Sequence, residues 1–199
     1  MAVKFQYNKV AMQRLRKELK IRENALPTLK SKEAYLRVTI KRQKAVKSGL
    51  EAELKAKMDE LSPAEALWAE FRAGLINFES AILKEDNVAG IKIPALDKMN
   101  IAISPYSSFM APAWYAWGIE TIRELSAKAV EILIMDRRID LLEYARKKTT
   151  QKVNLYEKVQ IPEFSEAILK IKRYLEDVEN LDKAAQKITK SRQAAGSAV

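Results

Sequence analysis

Apolar residues in the C-terminal stretch 149–188 recur three and four positions apart. This spacing is typical of a helix that presents one apolar seam to a partner helix. Charged residues crowd the remaining faces and leave the seam narrow. An amphipathic helix lying on a globular core is the alternative, but the narrow seam favours a coiled coil. The predicted C-terminal seam consists of Ile161, Phe164, Ile168, Ile171, Leu175 and Val178.

A second seam runs through the N-terminal stretch 8–61, where Pro27 is the only proline and Gly49 the only glycine. Arg22 and Glu33 interrupt its three-and-four spacing. At ~1.5 Å per residue, roughly 50 helical residues make a rod of about 75 Å, so we expect an extended shape. The predicted N-terminal seam includes Met12, Leu15, Leu19, Leu29, Leu36, Ile40, Leu50 and Leu54.

Two long seams in one chain predict that the terminal helices pair antiparallel. As a rough register, positions whose numbers add up to roughly 195 are expected side by side, with Leu15 near Asn180. Pro27 and Pro162 then lie close together, and each should kink its helix, which predicts one shared bend. The alternative is that Pro27 begins a fresh helical segment after a short break.

The middle of the chain has a different pattern. Ser62 and Pro63 predict a helix start with Glu65 in a capping box, and that helix continues to about Lys84. The runs 88–94 and 99–104 alternate and are rich in β-branched residues, and the second run follows Asp97-Lys98, which predicts a β-hairpin. Two apolar loops packed on the helices are the alternative.

These elements predict a mainly α fold. Its centre is a long antiparallel two-helix coiled coil, to which a small helical head with a short β-hairpin is attached. The predicted organisation is an N-terminal coiled-coil helix in 1–61, the head in 62–118, and a C-terminal coiled-coil helix and tail in 119–199.

Trp114, Tyr115 and Trp117 open the final predicted helix, and three such close aromatic residues cannot all face one direction. We expect at least one of them to meet a partner or to pack under the hairpin. Burial of all three in the head core is favoured over an aromatic binding platform.

Composition argues against catalysis. The chain has no Cys and no His, which excludes thiolate nucleophiles, Ser-His-Asp triads and most zinc sites. Gly74, Gly90 and Gly118 stand alone, so no phosphate-binding loop is expected. Carboxylates at helical spacing, such as Asp136 and Asp140, are better explained as a solvated face. We therefore expect no catalytic residue, no metal and no cofactor.

The net charge of +10 is unevenly distributed. Residues 1–60 carry +9, residues 61–145 carry −4 and residues 146–199 carry +5. Paired termini would form a basic rod, which suits nucleic acid, an anionic lipid surface or an acidic protein sleeve. No apolar run approaches the ~20 residues of a membrane span, and the N-terminus lacks the features of a signal peptide, which predicts a cytoplasmic protein.

Particular residues resemble a known family. The run 12–32 resembles the first helix of the D subunit of the rotary V-type and A-type ATPases, and the central Pro-containing hairpin resembles its bacterial-type members. Pro27 departs from the family, which continues its helix there with an ordinary helix former. The C-terminal signature is carried by Thr149, Thr150, Val153, Asn154, Glu157, Ile161 and Pro162, with Lys152, Val159, Glu176, Glu179 and Lys187.

The resemblance implies the central rotor axle of an ATPase or ATP synthase. Its partners would be the catalytic and non-catalytic subunits of the hexamer, the small F subunit of the central stalk and the funnel-like C subunit. The axle would be non-catalytic and would lie at the cytoplasmic membrane as a peripheral part of the complex. Exposed basic groups near both termini would be bearing contacts, or would only keep the rod soluble: Arg14, Arg16, Lys17, Lys187, Lys190 and Arg192.

A basic helical hairpin that grips nucleic acid is the alternative function. Glu18, Glu23 and Glu163 are interleaved with the basic residues, and no aromatic residues alternate with them for base stacking, which disfavours this alternative.

Overall fold

The computed structural model describes residues 5–107 and 109–196. The predicted fold class is confirmed, since the chain is mainly helical with long terminal helices and a two-stranded antiparallel hairpin. The elements in chain order are α1 (Lys9–Leu61), a 3-10 turn (Ser62–Ala64), α2 (Glu65–Ala69), β1 (Ile76–Val88), β2 (Ile91–Ile103), α3 (Tyr115–Leu155), a π-helical turn (Tyr156–Gln160, here called the π turn) and α4 (Ile161–Gly196).

The chain folds into two compact units. Unit 1 comprises the described residues up to Ser31 and those from Thr149 onward, whereas unit 2 comprises Lys32–Lys148. Unit 1 therefore consists of the start of α1, the end of α3, the π turn and α4. Unit 2 contains the rest of α1, the hairpin and most of α3.

Unit 1 has one apolar core between α1 and α4. Leu15 from α1 packs against Phe164, Ala167 and Ile171 from α4. These residues meet because the apolar positions of each helix recur at the helical period and form one stripe. Asn8 caps α1, since its side-chain Oδ1 accepts a hydrogen bond of 2.6 Å from the Ala11 amide.

Unit 2 has two cores. In the first, Ile93 of β2 packs against Leu36 and Ile40 of α1 and Leu142 of α3, so the hairpin lies on the helix pair. In the second, Leu75, Tyr115 and Ile119 are buried near the start of α3. The Tyr115 hydroxyl donates a hydrogen bond to the Glu70 carbonyl at 2.9 Å, which satisfies the polar end of this buried side chain.

The hairpin turns at Ala89-Gly90, with Val88 paired to Ile91. Both turn residues have positive φ, 53° and 79°, and the Asn87 side chain accepts a hydrogen bond from the Gly90 amide. The predicted positions of the two strands are wrong, because Asp97-Lys98 lies within β2 and not between the strands. The two runs predicted as strands, 88–94 and 99–104, lie largely on β2.

The predicted helix from Ser62 to about Lys84 is also wrong. Helix α2 ends at Ala69, and the residues from Ile76 onward form β1. Gly74 has a φ of 82°, a conformation that favours glycine and does not continue a helix. The predicted capping box is absent, because the 3-10 turn at Ser62 has no side-chain cap.

The predicted register is wrong, although the helices do pair antiparallel within each unit. We call α3, the π turn and α4 together the returning helix. In each ion pair that joins α1 to the returning helix, the two residue numbers add up to between 181 and 187, not to roughly 195. Leu15 meets Phe164 and Ile171, about two to four turns before Asn180. A register inferred from seam lengths alone fails because either seam can slide by whole heptads.

Helix α1 continues through Pro27 without a break, so the alternative of a fresh helical segment after Pro27 is wrong. The shared bend at Pro27 and Pro162 stays a prediction. The irregularity that the structure does show at this level is the π turn, which ends immediately before Ile161.

Candidate functional site in the paired helices

The predicted seam residues are distributed over both units. Leu15, Phe164 and Ile171 are buried in unit 1, and Leu36 and Ile40 are buried in unit 2. Val178 is 36% exposed and lies outside the core of unit 1. Ala167, which sequence reasoning missed, is buried there in the same cluster as Leu15 and Ile171. The half-buried members are Met12, Leu19, Leu29, Leu50, Leu54, Ile161, Ile168 and Leu175.

Arg22 occupies a seam position that the sequence pattern marked only as an interruption. Its Nε donates a hydrogen bond of 2.6 Å to the Gln160 Oε1 of the π turn. Its guanidinium carbon lies 4.5 Å from the centre of the Phe164 ring, which is a cation–π geometry. The charged group is thus satisfied inside an apolar seam by contacts that lie far away along the chain.

The π turn lies directly opposite Pro27. Arg22 and Lys30 flank Pro27 on α1, and both reach residues of the π turn, since Lys30 Nζ lies 2.6 Å from Glu157 Oε1. The Ile161 amide donates to the Tyr156 carbonyl, five residues back, as a π-helical turn requires. Two prolines and a π turn therefore meet at one level of unit 1.

The residues that carry the family resemblance surround this level. Thr149 and Val153 are buried, whereas Asn154, Glu157 and Pro162 are exposed. Thr150 and Ile161 are half-buried. The structure thus places the signature partly inside the helix contact and partly on its surface.

The basic residues predicted as bearing contacts are all exposed: Arg14, Arg16, Lys17, Lys187, Lys190 and Arg192. The first three lie near the start of α1 and the others near the end of α4. The last turns of α4 also expose apolar side chains, because Leu181 is 70% and Ile188 is 53% exposed. This end of α4 offers a mixed apolar and basic surface.

Ion pairs join α1 to α3 in unit 2. Lys44 pairs with Glu143 and Lys47 with Asp136, each at 2.6 Å. The hydrogen bond to Asp136 is the main cause that raises the pKa of Lys47.

Two further ion pairs lie closer to the end of α1. Lys128 lies 2.6 Å from Glu53, and Lys57 pairs with Glu124. Hydrogen bonds from these lysines lower the pKa of Glu53 and of Glu124, and the bond to Glu124 raises the pKa of Lys57. Opposite charges across the helices thus favour the ionised forms of Glu53, Lys57 and Glu124.

An aromatic cluster forms where α2 and α3 begin. Trp68 contacts Trp114 and Trp117, and Phe71 contacts Trp114 and Tyr115. Tyr115 is buried, whereas Trp117 is 50% exposed. The neighbouring loop exposes Phe109 and Met110 almost completely. Unit 2 therefore presents a second apolar surface.

The described residues show no arrangement suited to metal-dependent chemistry. No group of three or more metal-ligating side chains lies together within 5–107 and 109–196. Among the helices that the structure describes, none has a segment long and apolar enough to cross a lipid bilayer.

Sequence similarity to known proteins extends over nearly the whole chain. The family model described as the D subunit of ATP synthase matches residues 11–191. The Borreliella burgdorferi D subunit of V-type ATP synthase is 30% identical over 194 residues, which cover 94% of each chain. The Chlamydia pneumoniae protein of the same name is 28% identical over 203 residues, which cover 96% of this chain and 94% of that relative.

Proposed function

The chain belongs to the family of ATP synthase D subunits, and from this premise we propose that it is the central-stalk rotor axle of a V-type ATP synthase. The axle couples ATP hydrolysis or synthesis in the catalytic ring to ion translocation through the membrane ring by rotating. It contributes no catalytic residue of its own. The observation that carries this proposal is the match over residues 11–191, which spans most of unit 1 and all of unit 2.

The partner of the far end of α4 is the ring of catalytic and non-catalytic subunits. Leu181 and Ile188 supply an apolar surface there, and Lys187, Lys190 and Arg192 supply positive charge. Apolar contacts that carry no directional hydrogen bonds suit a surface that must turn past several neighbours. The basic groups of Arg14, Arg16 and Lys17 extend this bearing onto the start of α1.

The partners of unit 2 are the small F subunit of the central stalk and the funnel-like C subunit. The side chains of Phe109, Met110 and Trp117 form an exposed apolar patch, and such patches mark protein interaction sites. The complex holds the axle at the cytoplasmic face of the membrane as a peripheral component.

The mechanism is mechanical. Unit 1 presents different side chains on each side of its helix pair, so that its contacts differ from one surrounding catalytic subunit to the next. The affinity of a catalytic subunit for nucleotide shifts only as far as its contacts with the axle differ between its conformations. Rotation of an asymmetric axle therefore changes the nucleotide affinity of each catalytic subunit in turn.

Assembly with the ring tests the proposed bearing. We expect the double variant Leu181→Asp, Ile188→Asp to lower the amount of chain retained on co-expressed ring subunits at least about tenfold, because two buried apolar contacts each contribute ~1.5–3 kcal/mol. Leu133→Asp is the matched control, since Leu133 is 67% exposed but lies on α3 in unit 2. Equal retention of both variants would contradict the bearing.

Rotation itself is tested by a reversible cross-link. The chain has no cysteine, so Ser191→Cys introduces a single thiol that can form a disulfide with a cysteine engineered into a catalytic subunit. We expect oxidation to stop ATP turnover and reduction to restore it. Turnover that continues while the chain is cross-linked would refute the rotor.

Nucleic-acid binding is the other outcome to measure. Filter binding across salt concentrations should show no sub-micromolar affinity for the isolated chain. Tight binding with a steep negative salt slope would instead favour the basic hairpin as a nucleic-acid arm.

A further inference from the structure

The inward-facing positions of the returning helix change phase by one residue at the π turn. Thr149 and Tyr156 are seven positions apart, and Phe164 and Ile171 are seven apart, but Tyr156 and Phe164 are eight apart. Thr149, Phe164 and Ile171 are buried and Tyr156 is half-buried, so all four face the helix contact. The contacts of a two-helix coiled coil repeat every seven residues, so the returning helix contains one additional residue between Tyr156 and Phe164.

Helix α1 has no matching insertion. Leu15, Arg22 and Leu29 follow one another at seven-residue intervals, and each is buried or half-buried. The additional residue therefore belongs to only one helix of the pair. An insertion in one strand must be absorbed locally, or the apolar residues beyond it rotate away from the partner helix.

The π turn absorbs this residue. Its hydrogen bond from the Ile161 amide to the Tyr156 carbonyl spans five residues instead of four, which accommodates one extra residue without ending the helix. The helix at this level is also deprived of a backbone donor, because Pro162 has no amide hydrogen. Pro27 on α1 has no amide hydrogen either, so the backbone hydrogen bonding of both helices is weakened at the level of the π turn.

We propose that the π turn is a compliant joint between α3 and α4. Arg22 is the positioning residue that keeps the additional residue within the π turn. When a neighbouring helical turn takes up the additional residue instead, the turn that releases it shifts by ~1.5 Å along the helix axis and rotates by ~100°. Helix α4 can therefore twist relative to α1 while both remain helical. Arg22 opposes this movement because it bonds to Gln160 and stacks on Phe164, on both sides of the junction. Its Nη1 also donates to the Glu18 carbonyl of its own helix at 3.0 Å, which fixes its direction.

Hydrogen exchange of the full isolated chain tests the joint directly. We expect the amides of 156–161 to exchange at least about tenfold faster than those of 167–171, because their hydrogen bonds open locally. Arg22→Gln should raise exchange at 156–161 by about tenfold more. The control Arg173→Gln changes an exposed arginine of α4 and should leave exchange unaltered. Equal exchange in the two segments, or no response to Arg22→Gln, would overturn the proposal.

A pair of deletions tests whether the insertion causes the π turn. Deleting Lys158 together with Pro162→Ala restores seven-residue spacing throughout, so we expect fast exchange at 156–161 to disappear and the Tm to stay within about 3 °C of the wild type. Deleting Lys170, also an exposed lysine, rotates Ile171 out of the core and should lower the Tm by about 10 °C or more. Equal destabilisation by both deletions would show that the returning helix contains no additional residue.

Pro162→Ala alone separates the two possible causes of the π turn. We expect exchange at 156–161 to remain fast, because the additional residue is still present. Slow exchange in this variant would show that the proline produces the π turn and would overturn the inference.

The role of the joint in coupling rests on the proposed function. In the reconstituted complex, we expect the variant with Lys158 deleted and Pro162→Ala to assemble and hydrolyse ATP but to move fewer ions per ATP than the wild type. Unchanged coupling in an assembled complex would refute this role. Failure of the wild-type chain to join the complex would refute the proposed function instead, while the exchange results on the isolated chain would stand.

Discussion

The two units both pair α1 with a returning helix, but different contacts close them. Unit 1 closes on an apolar core to which Arg22 and the ion pair between Lys30 and Glu157 are added. In unit 2, ion pairs made by α1 lysines between Lys44 and Lys57 join α1 to α3. The hairpin adds Ile93 to the core there. The same seven-residue pattern along α1 thus supports two kinds of helix contact.

This difference shows what the hairpin contributes when it packs on the helix pair of unit 2. A two-helix contact buries few residues, because each helix has only one seam. In unit 2, Ile93 completes a core around Leu36 and Leu142, so a strand supplies burial that the helices lack. Exposed ion pairs contribute little to stability, but they favour one register over others.

The largest effect is expected from truncating a fully buried side chain in the core of unit 1 or in the first core of unit 2. Ile171→Ala in unit 1 and Leu142→Ala in unit 2 should each lower the free energy of unfolding by about 3 kcal/mol, since both side chains are fully buried. All three tryptophans lie in unit 2, at positions 68, 114 and 117, so their fluorescence reports that unit. We expect Leu142→Ala to shift the fluorescence transition and Ile171→Ala to shift mainly the circular dichroism transition.

Leu169→Ala is the control for unit 1, because Leu169 lies exposed on α4. It should change neither transition by more than about 0.5 kcal/mol. Equal shifts of both probes in Ile171→Ala would show that the two units unfold as one.

Removing the hairpin's contribution should have a smaller effect, confined to unit 2. Ile93→Ala should lower the free energy of unfolding by about 2 kcal/mol, because the strand can settle towards the space that remains. Ile103→Ala on the same strand is the control, since that side chain is half exposed. If both variants behave alike in chemical denaturation followed by fluorescence, the hairpin does not support the core.

The Asn8 side chain stabilises the first turn of α1 as a cap. Asn8→Ala removes the acceptor for the Ala11 amide and should lower the free energy of unfolding by about 1 kcal/mol. Asn8→Asp keeps an acceptor and should retain wild-type stability. Thermal unfolding followed by circular dichroism measures both variants, and an equal loss in the two would mean that the cap does not hold α1.

The smallest effect concerns the ion pairs of unit 2 and depends on pH. The folded pKa values of Glu53 and Glu124 lie below their ordinary values, so their stabilisation is present above the unfolded pKa and is lost as pH falls through the folded pKa. The raised pKa of Lys57 gives the same pair an alkaline limit, where stabilisation is lost as pH rises through that folded pKa.

The double variant Glu53→Gln, Glu124→Gln should therefore be less stable than the wild type near neutral pH and no less stable below the folded pKa values. Fluorescence-monitored Tm against pH measures this difference. A difference that persists unchanged into strong acid would show that the carboxylate charges are not its cause.

The hairpin illustrates how far the sequence could be interpreted. Short alternating runs predict that a hairpin exists, but the spacing along its first strand predicts a helix. Phe71, Leu75, Phe78 and Ile82 are three and four residues apart, which matches a helix, and nothing in that spacing shows that β2 pairs with the segment from Ile76 onward. Pairing between strands depends on partners outside the window in which periodicity is counted.

The candidate site illustrates the same limit. In the sequence pattern Arg22 is an interruption, because a charged residue lowers the apolar signal of its own helix. Its role depends on Gln160 and Phe164, which the fold brings to it from more than a hundred residues away. The one-residue change of phase at 156–164 was present in the sequence, and comparing the seven-residue intervals of the two seams would have found it.

The spacing of apolar residues along the chain specifies the long helices and the apolar face of each one. These properties repeat at the helical period and depend on neighbouring residues. The register of the helices, the pairing of β1 with β2 and the partners of Arg22 were decided only by the tertiary structure. Seams made of similar apolar residues tolerate several alignments, so the contacts between distant residues, such as Lys47 with Asp136 and Ile93 with Leu142, select one of them.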